Sequence, residues 1–267
     1  MDDQTPNGAS RIGCFLYGTI VYVLFLVTFC YMIGFVGNLV VPQSIDTVGA
    51  NGPAPMAVAI VVNALLLSLF AIQHTIMARP GFKVWWTTIV PRPVERSTFV
   101  LATCIVLVLT VWQWRAMPEI VWSVENAAGR AVLYALFTAG WVLVLYATFC
   151  IDHFDLFGLR QVVLHLQGKE YTHPGFAMPW IYKLIRNPLM AGFLLAFWAT
   201  PVMTQGHLLF AILTTGYILV GIQFEERDLI QALGEDYRKY RAMTPMLLPF
   251  PRPRVAVPAR ASMDTER

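Results

Sequence analysis

The sequence predicts an all-α membrane protein: a polytopic transmembrane helical bundle of five or six membrane segments, the last two forming a helical hairpin, with a cytoplasmic C-terminal helix. Three observations carry this. Hydrophobic residues make up 57% of the 267 positions and charged residues only 13%, too apolar a balance for a soluble domain of this length. Six windows close to the ~20 residues needed to cross a hydrocarbon core are nearly free of charge, at 15–37, 56–77, 98–116, 130–150, 189–204 and 207–224. The basic residues segregate as well. With these spans, every Lys and Arg except Arg115 and Arg130 lies on one side, which the positive-inside rule makes cytoplasmic, with both termini there.

The elements follow in order. The first span is too long for a cleaved leader and has no small-residue cleavage site close behind it, so it stays as an anchor, at the periphery of the bundle. The Gly/Pro-rich "VPQSIDTVGANGPAP" joins it to the second span on the outer side, which ends in "FAIQHTIMARP". Cytoplasmic loop two, "MARPGFKVWWTTIVPRPVERS", leads to the third span; the outer segment 115–130 leads to the fourth, which ends in "CIDHFDLFGLRQ" and opens a long polar loop. Spans five and six are short and separated only by a turn at 204–206, with Pro201 and Gly206 as breakers. That spacing fits two crossings, or one crossing and a re-entrant arm. Helical periodicity then continues over 225–241, with Leu229, Leu233, Tyr237 and Tyr240 on one face, Gly234 as kink or cap and Pro245 as stop. Residues 1–248 read as one membrane-embedded domain and 249–267 as a flexible basic tail near anionic headgroups.

Several function classes are disfavoured. The net charge of +3 is a topology signal rather than a nucleic-acid surface. Four cysteines, Cys14, Cys30, Cys104 and Cys150, show no CxxC spacing and read as packing residues. The five histidines follow no HxxxH spacing, so no metal is expected. GxGxxG and Walker A patterns are absent, which disfavours soluble nucleotide-binding modes.

Ionisable groups at membrane depth cost about 2.5–3.5 kcal/mol each at a helix centre, so those near span ends are candidates for function. His74 and His153 both emerge at cytoplasmic span ends, where they could converge on one cavity, and Arg160 is placed to pair with Asp155 and orient His153 as a proton acceptor. The plain alternatives are an interfacial His74 bonded to a backbone carbonyl, and solvated acids with aromatics in the headgroup belt. The third place is the pair of arms "YKLIRNPLMAG" and "FEERDLIQALGEDYRKYRAM". The hairpin brings Arg186, Asn187 and Pro188 to the membrane face where Glu225 and Glu226 lie. There an amphiphilic cofactor would find a guanidinium for a carboxylate, amides at a helix start and carboxylates for hydroxyls or an amine. Adjacent glutamates differ by about 100° around a helix, so Glu225 and Glu226 should have different partners.

The stretch 182–249 resembles the C-terminal hairpin of the isoprenylcysteine carboxyl methyltransferase and phospholipid methyltransferase superfamily. Its pattern is Tyr-x-x-x-Arg-His-Pro-x-Tyr-x-Gly, then Glu-Glu and Gly-x-x-Tyr-x-x-Tyr. Tyr182, Arg186, Pro188, Gly192, Glu225, Glu226, Gly234, Tyr237 and Tyr240 match, while Asn187 stands for the histidine and Met190 for the tyrosine. Further likeness in "FAIQHTIMARP", "PVERSTFVL", "DHFDLFGLRQV" and "LLAFWATPVMT" points to the bacterial methanethiol S-methyltransferase branch. The resemblance implies a multi-pass enzyme of the bacterial inner membrane that methylates a small thiol, methanethiol to dimethyl sulfide, with S-adenosylmethionine bound by Tyr182, Arg186, Asn187, Pro188, Gly192, Glu225, Glu226, Tyr237 and Tyr240. His74, His153, Asp155 and Arg160 would then handle the thiol proton. Competing readings are a lipid or isoprenylcysteine acceptor in the same superfamily, a non-enzymatic transport or nitric-oxide-response protein sharing part of "QHTIMARP", and a sterol-type reductase.

Overall fold

The computed structural model describes residues 8–49, 52–172 and 179–250; the tail from 251 onward lies outside them. Apolar sequence runs become helices because a backbone in lipid must satisfy its own hydrogen bonds. In chain order the helices are α1 (Gly8–Gly37), α2 (Met56–Ala78), the short α3 (Pro80–Trp86), α4 (Arg92–Gln113), α5 (Ala127–Ile151), α6 (His153–Leu156), α7 (Leu159–Leu166), α8 (Trp180–Leu184), α9 (Pro188–Trp198), α10 (Gln205–Leu233) and α11 (Glu235–Met243). Of these, α1, α2, α4, α5 and α10 are long and apolar enough to cross a membrane. The chain is a multi-pass, all-α membrane protein, its outer surface covered by exposed aliphatics such as Leu16, Val27, Leu65 and Val142.

The fifth expected span is where the count changes. Its 11 residues in α9 extend only about 17 Å at 1.5 Å per residue, against roughly 30 Å of hydrocarbon. The apolar run continues past Trp198, but Pro201 ends the helix and residues Val202–Thr204 form a strand, β2, paired antiparallel with β1 (Ile120–Ser123). The register sets Ile120 opposite Thr204 and Ser123 opposite Val202, with an irregularity between Ile120 and Trp122. The expected tight hairpin is therefore an arm of half-span length, a ribbon strand, and the long α10.

At this ribbon end the polar groups pair with one another. Asn63, fully buried, donates to Arg115 O (2.8 Å) and accepts from Arg115 N (2.9 Å), closing α2 onto the end of α4. Trp114 Nε1 donates to Ile45 O (3.0 Å), and Asp46 accepts from Asn38 (2.6 Å) and Thr204. His207 donates through Nε2 to Phe197 O (2.8 Å); its buried Nδ1 is an exception, without a hydrogen-bond partner among the described residues.

Packing explains two glycines. A Cβ on Gly140 of α5 would lie 2.6 Å from Ala196 N, and one on Gly192 of α9 would lie 2.8 Å from Gly140 O. The two backbones touch, as small residues permit in membrane bundles, and this contact anchors the short α9. The main core lies alongside it, where Trp141, Phe193, Phe197 and Phe210 meet edge to face. Helix α1 is not peripheral: Phe35 and Val36 are fully buried in that core, and Gly18 lets Val162 of α7 approach closely.

Helix α10 runs without a break through Glu225 and Glu226 to Leu233. Gly234 then adopts φ 58°, ψ −129°, a conformation in which a Cβ would be strained, and α11 turns back toward the start of α9.

Candidate functional site

The returning α11 meets the α8–α9 arm in a buried knot. Arg186, 7% exposed, donates from Nε (2.8 Å) and Nη2 (2.7 Å) to Oε1 of Glu226, 2% exposed. Arg186 Nη1 donates to Arg241 O (3.0 Å) and Thr244 O, and Arg241 Nε lies 3.0 Å from Glu226 Oε2. The amides of Arg186 and Asn187, just before the start of α9, donate to Pro245 O (2.9 Å) and Met246 O (3.1 Å). Tyr240 OH donates to Tyr182 O at 2.6 Å. Positions 186 and 226 thus come together, as the hairpin reading requires, but in contact with each other. Breaking such a pair from one side leaves an uncompensated buried charge, at about 3–5 kcal/mol.

One helical step before Glu226, Glu225 faces the other way. It is exposed on the wall of a cavity of about 1110 Å³, slightly above the range of about 300–1,000 Å³ for small-molecule sites. Tyr182, Arg186, Asn187, Tyr237 and Tyr240 line the same cavity, as does Asp155. Glu226 lies on the far side of α10, in a smaller groove shared with Arg186 and Arg241. Pro188 is the buried first residue of α9, and Gly192 faces α5. Burial pushes the Tyr182 hydroxyl well above the usual phenol range. It takes Tyr237 up to about 12, assisted by Glu226, and Tyr240 to about 12 against the pull of Arg186. All three stay protonated donors at neutral pH.

The opposite wall was not singled out in the sequence. It carries Arg11, Lys83, Arg92, Arg96, Glu95, Gln161, His165 and Tyr171. In the sequence the basic members stand out only as topology markers, and no spacing signal distinguishes them from other basic residues on the same side. Asp155 and Arg160 do pair (3.0 Å), and Tyr171 OH (3.1 Å) and Gln161 Nε2 (3.3 Å) also reach the Asp155 carboxylate. This cluster braces α6 against α7 and does not touch His153.

The two histidines do not converge. His153, 2% exposed, lies between Thr148 Oγ1 at Nδ1 (2.8 Å) and Tyr22 OH at Nε2 (2.9 Å), stacked on Phe149. Thr148 gives its own proton to Leu145 O (2.7 Å), so Nδ1–H donates to it and Nε2 accepts from Tyr22. Burial lowers the proton affinity of this ring, partly opposed by Asp152. His74 is different. Thr103 donates to Phe99 O (3.0 Å), so its oxygen accepts from His74 Nδ1–H (3.4 Å), and among the described residues nothing bonds Nε2. Phe70 stacks on the ring, Tyr217 meets Phe70 edge-on, and Phe99 lies 5.0 Å away. Phe99 also carries the Arg96 guanidinium at 4.8 Å, so His74 sits one ring deeper than the cavity wall. Among the described residues no cluster of three or more His, Cys, Asp or Glu could hold a metal ion.

An arm knot and a mixed-charge cavity next to an aromatic box can be compared with known proteins. No protein-family model matches the chain, and no solved structure matches it. The chain is 56% identical over 236 residues to the methanethiol S-methyltransferase of Mycobacterium tuberculosis, covering 88% of this chain and 96% of that one. It is 52% identical over 250 residues to methanethiol S-methyltransferase 1 of Bradyrhizobium diazoefficiens, covering 94% and 87%. A more distant likeness, 25% over 187 residues covering 67% and 71%, is to Nurim of Rattus norvegicus. At more than 50% identity over most of both chains, the chain belongs to the methanethiol S-methyltransferase family, an enzyme family of membrane methyltransferases.

Proposed function

We propose that this protein methylates methanethiol to dimethyl sulfide at the cytoplasmic face of the bacterial inner membrane, with S-adenosylmethionine as methyl donor and both termini in the cytoplasm. The supporting observation is the knot of Arg186, Glu226 and Arg241, which fixes α11 against α9 and so sets Glu225, Tyr182 and Tyr237 on one cavity wall. The residues fit that donor: the space is large enough, and its walls offer carboxylates for an amine and hydroxyls, cations for a carboxylate, and phenols that remain donors. When bound, S-adenosylmethionine supplies an electrophilic methyl group on a sulfonium.

The thiolate is the nucleophile, and even a cysteine thiol has a pKa of about 8.5, so a proton acceptor is needed. In this proposal His74 takes the thiol proton at Nε2, the nitrogen that its bond to Thr103 leaves with a lone pair. Phe70, Phe99 and Tyr217 form an apolar box around it that suits a small alkyl thiol. His153 has both nitrogens engaged and serves to hold α6 against α1 and α5. Glu225 holds the donor, while Glu226 holds the arms. Aliphatic side chains at the bundle surface contact membrane lipid.

Calorimetry on the purified protein with S-adenosylmethionine, and headspace detection of dimethyl sulfide after adding methanethiol, test this directly. Glu225→Ala should weaken donor binding about tenfold, the loss of one hydrogen bond to a charged group, without unfolding the protein. Wild-type protein that binds no S-adenosylmethionine, or methylates lipid but no thiol, would overturn the proposal.

A further inference from the structure

The methyl donor of the proposed reaction carries a carboxylate, and this inference rests on that reading. Arg186, the motif cation that would meet it, already gives Nε and Nη2 to Glu226 and Nη1 to two carbonyls. The carboxylate must therefore find another partner. Arg11, Lys83, Arg92 and Arg96 line the cavity, and among the described residues none of them has an ion-pair partner.

Arg96 stands out because it is held in place. Its Nε donates to Leu156 O at 2.6 Å, and its guanidinium lies over the Phe99 ring at 4.8 Å. One edge of the fork is thus fixed by backbone and one face by an aromatic, while among the described residues neither Nη group makes a hydrogen bond. A planar pair of donors already fixed in orientation loses little entropy on binding and matches a carboxylate in two-point geometry. Lys83, on the short α3, offers a mobile point charge by comparison.

We propose that Arg96, not Arg186, binds the donor's carboxylate, through Nη1 and Nη2. Arg186 then acts as the positioning residue that closes the arms, and Glu225 on α10 faces the rest of the donor from the other wall.

The test pairs a side-chain deletion with a ligand deletion. Calorimetry measures S-adenosylmethionine and its decarboxylated analogue against wild type, Arg96→Ala and Arg96→Lys, with thermal unfolding of each variant as a check on folding. The expected result is that Arg96→Ala weakens S-adenosylmethionine about tenfold to a hundredfold, the range for hydrogen bonds to a charged group, and leaves the analogue unchanged. Arg96→Lys, which keeps the charge and packs most of the same stem, should retain part of the preference and serves alone if the alanine variant does not fold. Equal weakening of both ligands, or no change in either, overturns the assignment while leaving the methyl-donor reading intact. Wild-type protein that binds neither ligand overturns both.

Discussion

The two ends of the bundle handle polar groups in opposite ways. At the ribbon end Asn63, Arg115, Trp114, Asp46 and Thr204 are bonded into one another, and the strand pair closes over them. At the arm end the knot is just as tightly bonded, but the cavity beside it presents Arg11, Lys83, Arg92, Arg96 and Glu225 without ion-pair partners among the described residues. Interior polar groups that pair among themselves define the fold, whereas charges held apart by a rigid frame are available to a ligand. The knot is the frame, so it should behave like the ribbon end under mutation, and the cavity wall should not.

The largest effect should come from breaking that frame. Glu226→Ala leaves Arg186 buried without its carboxylate and should cost about 3–5 kcal/mol, read as a loss of unfolding temperature with donor binding lost alongside. A variant that melts like wild type would mean the knot is not a frame. Next, His74→Ala should lower turnover by about a hundredfold or more, the usual contribution of a general base, with donor affinity kept; a loss of binding rather than rate would remove His74 from the chemistry. At the opposite end Asn63→Leu removes both side-chain hydrogen bonds to the Arg115 backbone, at about 0.5–1.5 kcal/mol for each. It should lower stability and leave affinity for S-adenosylmethionine unchanged.

The smallest effect concerns His153. Its ring is buried neutral and its pKa is depressed, so the unfolded chain takes up a proton first as the pH falls below about 6.5, the ordinary histidine value. Stability is therefore full above that pH and declines below it, until the folded ring also titrates. His153→Gln should flatten the decline, measured as unfolding temperature against pH; an unchanged slope would place the titrating group elsewhere.

Spans were legible because hydropathy is a local property. The arms were legible because Arg186 and Glu226 are brought together by connectivity alone. What escaped depended on partners distant in the chain. Strand β2 looks like the tail of an apolar span until Ile120, 84 positions away from Thr204, is set beside it. Helix α1 looks peripheral until Val162 enters the notch at Gly18. His74 and His153 look equivalent from their positions at span ends. What separates them is Tyr22 from α1, which occupies the nitrogen of His153 that a base would need. Arg96 was hidden among topology markers because nothing local shows that Leu156 O and Phe99 will grip it.

A methyl group added at Gly234 would meet no atom within 4 Å. Yet its torsions aim α11, and so decide whether Arg241 and Thr244 arrive at Arg186 at all. Gly234→Ala would crowd no neighbour and delete no contact, but it would load about 1–3 kcal/mol of backbone strain onto the return stroke. The latch of this enzyme is steered from a residue that a map of neighbouring atoms would pass over as vacant surface.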